Sequence, residues 1–162
     1  MIKLNKKNYF IIISLIIVSF IFSSCSNISI KKAKKNNFYY TNMLAKTIYT
    51  EQNYKCNIVD TNFYKGIDLS SDNFNIIKNF ISSLDTKYFI SVPKDLPDKP
   101  PYKMLLTFKK EKFVINIYNE KYISIHPWDG YYEMDYIDMS KIPSSYNLFN
   151  LCNYIVSKSS DS

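Results

Sequence analysis

From Met104 to His126 the sequence alternates with a period of two, and this stretch constrains the fold more than any other. Met104, Leu106 and Phe108 alternate with Leu105, Thr107 and Lys109. After the charged turn Lys110-Glu111-Lys112, Phe113, Ile115 and Ile117 repeat the pattern, and Asn119-Glu120-Lys121 turns the chain once more into Tyr122-Ile-Ser-Ile-His126. Successive side chains of a strand point to opposite faces, so three such runs joined by short polar turns form an antiparallel meander. Pro127-Trp-Asp-Gly130 breaks it, and Tyr131 to Ile137 can return as a further strand.

Elsewhere the period is helical. Tyr40, Met43, Leu44 and Ile48 predict a helix over Asn37 to about Gln52. Phe74, Ile77, Ile81 and Leu84 form a second stripe, with Ser71 or Asp72 placed to cap it. Leu148, Leu151, Cys152 and Ile155 form a third, on a helix starting near Pro143 or Ser144. Short β-rich runs around Cys56 to Phe63 and Tyr88 to Val92 read as strands. Pro93 ends the latter, and Pro97, Pro100 and Pro101 stiffen a loop that cannot enter a sheet interior. An antiparallel sheet with helices packed on one face buries these stripes most simply, so the expected class is α+β, in one domain.

The N-terminus sets the working environment. Lys3, Lys6 and Lys7 precede a 14-residue apolar run, Tyr9 to Phe22. A spanning helix needs about 20 residues, so the run reads as the hydrophobic part of a signal peptide. Ser23-Ser24-Cys25 resembles a bacterial lipobox, which implies cleavage before Cys25 and lipidation of its thiol; Phe22 stands where that motif prefers Leu. The expected organisation is a lipoprotein signal peptide over 1–24, a lipidated Cys and Lys-rich tether over 25–37, an α+β domain over 38–158 and a polar tail over 159–162. The expected partners are a membrane, through the lipid on Cys25 at the extracytoplasmic face, and a protein or cell-wall polymer. Lys31, Lys32, Lys34 and Lys35 would lie within reach of anionic headgroups or form a solvated linker.

The formal charge of +7 belongs to these segments. From Asn36 onward 14 Lys face 14 Asp plus Glu, so the domain is neutral. Arginine is absent, which removes the bidentate fork used for phosphate and guanine, and no nucleic-acid partner is expected. With only Gly66 and Gly130, no glycine-rich phosphate cradle can be built, and no cofactor is implied.

Catalytic constellations are sparse. Cys56 and Cys152 could close one disulfide outside the cytoplasm; the alternative is two buried thiols acting as small apolar residues. A small thiol hydrolase would require His126, the only histidine, to activate one of them, and nothing in the sequence places them together. His126, Asp129 and Asp135 lack any recognised ligand spacing, so no metal is expected. The richest segment is His126-Pro-Trp-Asp-Gly-Tyr-Tyr132. His126, Trp128, Asp129, Tyr131 and Tyr132 crowd a turn between strands and offer flat amphipathic area to a sugar ring, a peptide or a partner protein. In the competing reading Trp128 plugs one end of the core. A non-catalytic binding or scaffolding module is therefore the expected function, with a surface Cys/His hydrolase as the alternative.

Three segments, Lys87-Tyr-Phe-Ile-Ser-Val-Pro93, Ile125-His-Pro-Trp-Asp-Gly130 and Tyr146-Asn-Leu-Phe-Asn-Leu151, resemble small clostridial lipoproteins that share a domain of unknown function. The resemblance runs over roughly Phe38 to Val156. It implies an extracytoplasmic, membrane-anchored single domain and brings no catalytic residue to transfer. The heavy use of Lys, Asn, Ile and Tyr without Arg is similar to that of low-GC Gram-positive proteins.

Overall fold

The computed structural model describes residues 34–51 and 53–160. They belong to a unit running from Lys32. The signal peptide expected over 1–24 and the lipidation expected at Cys25 lie outside the described residues. Among these residues no helix is long and apolar enough to cross a membrane.

The chain begins with α1 (Tyr39–Thr50), followed by the strands β1 (Lys55–Asp60) and β2 (Lys65–Asp68). After α2 (Phe74–Ser83) comes β3 (Phe89–Ile90), then the four strands β4 (Tyr102–Thr107), β5 (Lys112–Ile117), β6 (Tyr122–Pro127) and β7 (Asp135–Asp138). The described chain ends with α3 (Leu148–Ser160). The strands form one antiparallel seven-stranded sheet in the order β2-β1-β4-β5-β6-β7-β3. The α+β class expected from the periodicities is the one observed.

Register shows why one face collects the helices. Ile58, Met104, Ile115 and Ile125 lie side by side across four strands, and the row continues to Asp135 on β7. A neighbouring row holds Cys56, Leu106, Phe113 and Pro127. Leu44 and Ile48 of α1, Ile77, Phe80 and Ile81 of α2, and Leu148, Leu151 and Cys152 of α3 join these strand residues in one core. The opposite face carries the intervening positions, His126 and Ser124 on β6 and Asn116 on β5. There the Asn116 amide donates to Ser124 Oγ at 3.1 Å and lies 3.4 Å from the Met134 sulfur.

The boundaries differ from expectation where side chains satisfy the backbone. The strand expected to run on to Phe63 stops at Asp60, whose carboxylate accepts the amide N–H groups of Asn62 (2.8 Å) and Phe63 (3.3 Å) and turns the chain into β2. The strand expected over Tyr88 to Val92 pairs only through Phe89 and Ile90. A 3-10 turn at Ser71–Asn73 delays α2 to Phe74. The α3 helix begins at Leu148 because Asn147 Oδ1 accepts the Phe149 N–H at 3.0 Å, an N-cap of the usual kind. It continues to Ser160, into residues read as a polar tail.

Candidate functional site: an aromatic cleft at one end of the sheet

The β6–β7 connection builds the site. Trp128 donates its amide to the Lys112 carbonyl at 2.8 Å, tying the turn to the β4–β5 corner, and Gly130 closes it on the Pro127 carbonyl at 3.0 Å. A Cβ on Gly130 would stand 3.1 Å from that carbonyl oxygen and 3.3 Å from the Tyr40 hydroxyl, so a side chain here would push into the cleft wall. Tyr40, in the first turn of α1, accepts the Tyr132 amide on its hydroxyl at 2.6 Å. The rings of Tyr39 and Tyr132 meet edge-on at 5.6 Å, as do those of Tyr131 and Tyr132 at 5.5 Å. The result is an open cleft of about 470 Å³ between α1, the β4–β5 turn and the β6–β7 loop, with Trp128, Asp129, Tyr131 and Tyr132 in its lining.

Trp128 is 69% exposed and Tyr131 60%, so neither plugs the core. A larger hollow of about 690 Å³ lies beside β1 and the start of α2, but its rings, Tyr54 and Phe108 among them, are already spent on the core. The smaller cleft is the one that presents free ring surface.

A buried ion pair supports the cleft from below. α1 has no side-chain cap of its own. Asp135, fully buried, reaches across from β7, and its Oδ2 accepts the Thr41 amide at 2.7 Å and the Thr41 hydroxyl at 2.9 Å. Its other oxygen pairs with the Lys34 ammonium, which also donates to the Glu133 carbonyl at 2.9 Å and lies 5.4 Å from the Tyr40 ring centre. Lys34, read from sequence as tether, thus takes part in the folded unit. Loss of hydration pushes the Asp135 carboxyl above its ordinary value, even though Lys34 and Thr41 act in the opposite sense. Sequence reasoning missed Tyr39, Tyr40, Thr41 and Lys34 as parts of this site; the polar Thr41 inside the apolar stripe of α1 was the one local signal.

His126 does not join the cleft. It lies on the other face of the sheet, where its Nδ1 is 2.9 Å from the Pro127 carbonyl. A carbonyl only accepts, so Nδ1 carries the proton. Burial, with Lys103 adding to it, holds the imidazole below its usual pKa and neutral at neutral pH. Cys56 and Cys152 are free thiols buried in the core, on the helix-bearing side. Burial pushes Cys56 up to about 12 and Cys152 in the same direction. The sheet therefore separates His126 from both thiols, and the pairing a thiol hydrolase needs is not formed. Asp135 likewise faces the core while His126 faces away, and among the described residues no three His, Cys, Asp or Glu side chains converge as metal ligands.

Fold and site together define a small antiparallel α+β domain with an aromatic-lined cleft at one sheet end. The chain belongs to the family known as the domain of unknown function DUF4883, whose sequence model matches residues 34–152. Its fold is similar to that in a crystal structure described as "Putative Lipoprotein from Clostridium perfringens", with 32% identity over 77% of this chain and 99% of that one and a TM-score of 0.69. No curated protein matches the chain.

Proposed function

We propose that this protein is lipid-anchored through Cys25 at the extracytoplasmic face of the cell membrane, and that its domain is a non-catalytic binding module using the aromatic cleft. The anchoring rests on the leader ending in Ser23-Ser24-Cys25 and on the lipoprotein description of the solved relative. The observation that carries the binding role is the exposure of Trp128 and Tyr131 over a wall of tyrosines. Such flat amphipathic rings stack on sugar rings, and cell-wall glycan is the polymer nearest to a surface lipoprotein.

Two experiments test the two halves of the reading. The native protein should have the mass of a chain beginning at Cys25 plus acyl groups and should partition with membranes; Cys25→Ala should lose both properties. A full-length, unmodified mass in the wild type would refute the anchoring.

Trp128 is the sole tryptophan, so its fluorescence reports directly on the cleft. Titration with soluble cell-wall glycan strands should change that emission saturably. In calorimetry Trp128→Ala should weaken binding by about 1–3 kcal/mol without lowering the melting temperature, the expectation for an exposed hot-spot ring. Unchanged affinity in Trp128→Ala would remove the cleft from consideration.

A further inference from the structure

At the far end of the sheet the β1–β2 turn presents a second aromatic feature, which the cleft does not explain. Phe63 is 81% exposed and its neighbour Tyr64 82%. Tyr64 sits at φ 53°, in the left-handed region, and is the one non-glycine among the described residues with positive φ. A glycine would adopt this conformation freely, whereas a tyrosine there is strained. The turn is held stiffly. Asp60 caps it from below, the Thr61 amide donates to the Pro101 carbonyl at 2.9 Å, and Lys99 donates to the Thr61 carbonyl at 2.6 Å while lying 5.2 Å from the Tyr64 ring centre. Two adjacent aromatic rings are thus displayed to solvent by a braced and strained turn, with Lys99 beside them and Lys65, whose ammonium donates to the Ser159 carbonyl at 3.1 Å, next in the chain.

We infer that the Phe63–Tyr64 tip is a second membrane contact, seating its rings at the headgroup level of an anionic phospholipid bilayer while Lys65 and Lys99 face the phosphates. The inference rests on the lipid anchoring proposed above. Aromatic rings flanked by lysine are the side chains that settle at a membrane–water interface, and one lipid signal gains from a second, weaker one.

The register supports the geometry. Asp60 lies level with Ile117 and Ile123, whereas Pro127, at the cleft, lies level with Cys56. The tip and the cleft are therefore at opposite ends of the strands, so a membrane at the tip leaves the cleft facing outward. Lys34 pairs with Asp135 on β7, which is level with Ile58 and so lies five strand spacings (about 24 Å) across the sheet from β2 and two residues (about 7 Å) short of Asp60 along the strands. The ten residues from Cys25 to Lys34, nine Cα–Cα steps, can span at most about 30 Å, enough to bring the anchor and the tip to one surface. Contacts at two separated points would fix the orientation of a domain that a lipid alone leaves free to swivel.

The test uses the full acylated chain in vesicles of phosphatidylcholine and phosphatidylglycerol, with and without brominated acyl chains. Wild type reports from Trp128; the double variant Phe63→Trp with Trp128→Phe reports from the tip. Both changes fall at exposed positions, and matching melting curves confirm the fold. The tip reporter should shift to the blue and lose intensity to bromine, while wild-type emission stays unquenched. With acyl groups present in the mass, an unquenched tip reporter overturns the inference. Quenching of Trp128 alone also overturns it, making the cleft the membrane contact. A mass without acyl groups overturns the anchoring reading itself, and this inference with it.

Discussion

Asp135→Ala is expected to lower the unfolding free energy by about 3–5 kcal/mol, the cost of removing one partner from a buried ion pair. In a domain of this size that is a fall in melting temperature of roughly 10–20 °C. The loss has three sources. The Thr41 amide and hydroxyl lose their acceptor, the first turn of α1 loses its only side-chain cap, and Lys34 keeps a charge with little water around it. Because Tyr40 neighbours Thr41 and accepts the Tyr132 amide, the cleft should loosen with the helix.

The pH dependence follows from the direction of the Asp135 shift. A carboxyl whose folded value is raised binds its proton more tightly when folded than when unfolded. Its contribution to stability is therefore greatest below the ordinary carboxylate range and is lost as pH rises through the interval up to the raised value. Asp135→Asn, which keeps an acceptor for Thr41 but does not titrate, should flatten the profile of stability against pH over that interval. Lys34→Met removes the compensating charge, so it should destabilise more at neutral than at acid pH. Thermal melts across the acid range would expose the reverse sign, which would contradict this account.

Phe80→Ala is expected to cost about 3–5 kcal/mol, the usual range for truncating a fully buried aromatic side chain. Phe80 is fully buried on α2, among the residues that close the core over the sheet. Inward movement cannot fill the space its ring leaves, since α2 is held at once against α1, α3 and the turn Ser144–Tyr146 that precedes α3. Denaturant titration should show a lower midpoint with an unchanged slope, since the surface exposed on unfolding is nearly the same. Phe63→Ala, the same truncation at an exposed position, should leave the midpoint almost unmoved. A similar loss for both would mean that the ring itself, rather than its burial, sets the cost.

Much of the architecture was legible because it is written in local periods. The alternation over Met104 to His126 became β4, β5 and β6 with short turns, and the three helical stripes became α1, α2 and α3 facing one core. Reading failed where a polar residue occupies a core position. Asp60 stands where an apolar residue would continue β1, and it turns the chain into a strand that no alternation announced. Asp135 stands where the row Ile58, Met104, Ile115, Ile125 would continue with an apolar residue.

The candidate patch was only partly legible for a related reason. Trp128, Asp129, Tyr131 and Tyr132 are neighbours in sequence and were found together. Tyr39, Tyr40 and Lys34, about ninety residues earlier, complete the site from another element, and His126 leaves it because the next residue in a strand faces the other way.

The sequence by itself determined the class of fold and the elements that bury their faces, because each depends on residues a few positions apart. Only the tertiary structure decided that β1 enters the sheet beside β4, that His126 and the two thiols lie on opposite sides, and that Asp135 supplies the cap α1 lacks. Those outcomes depend on strand register and on side chains meeting across the fold, where one residue of slip would exchange the two faces of a strand.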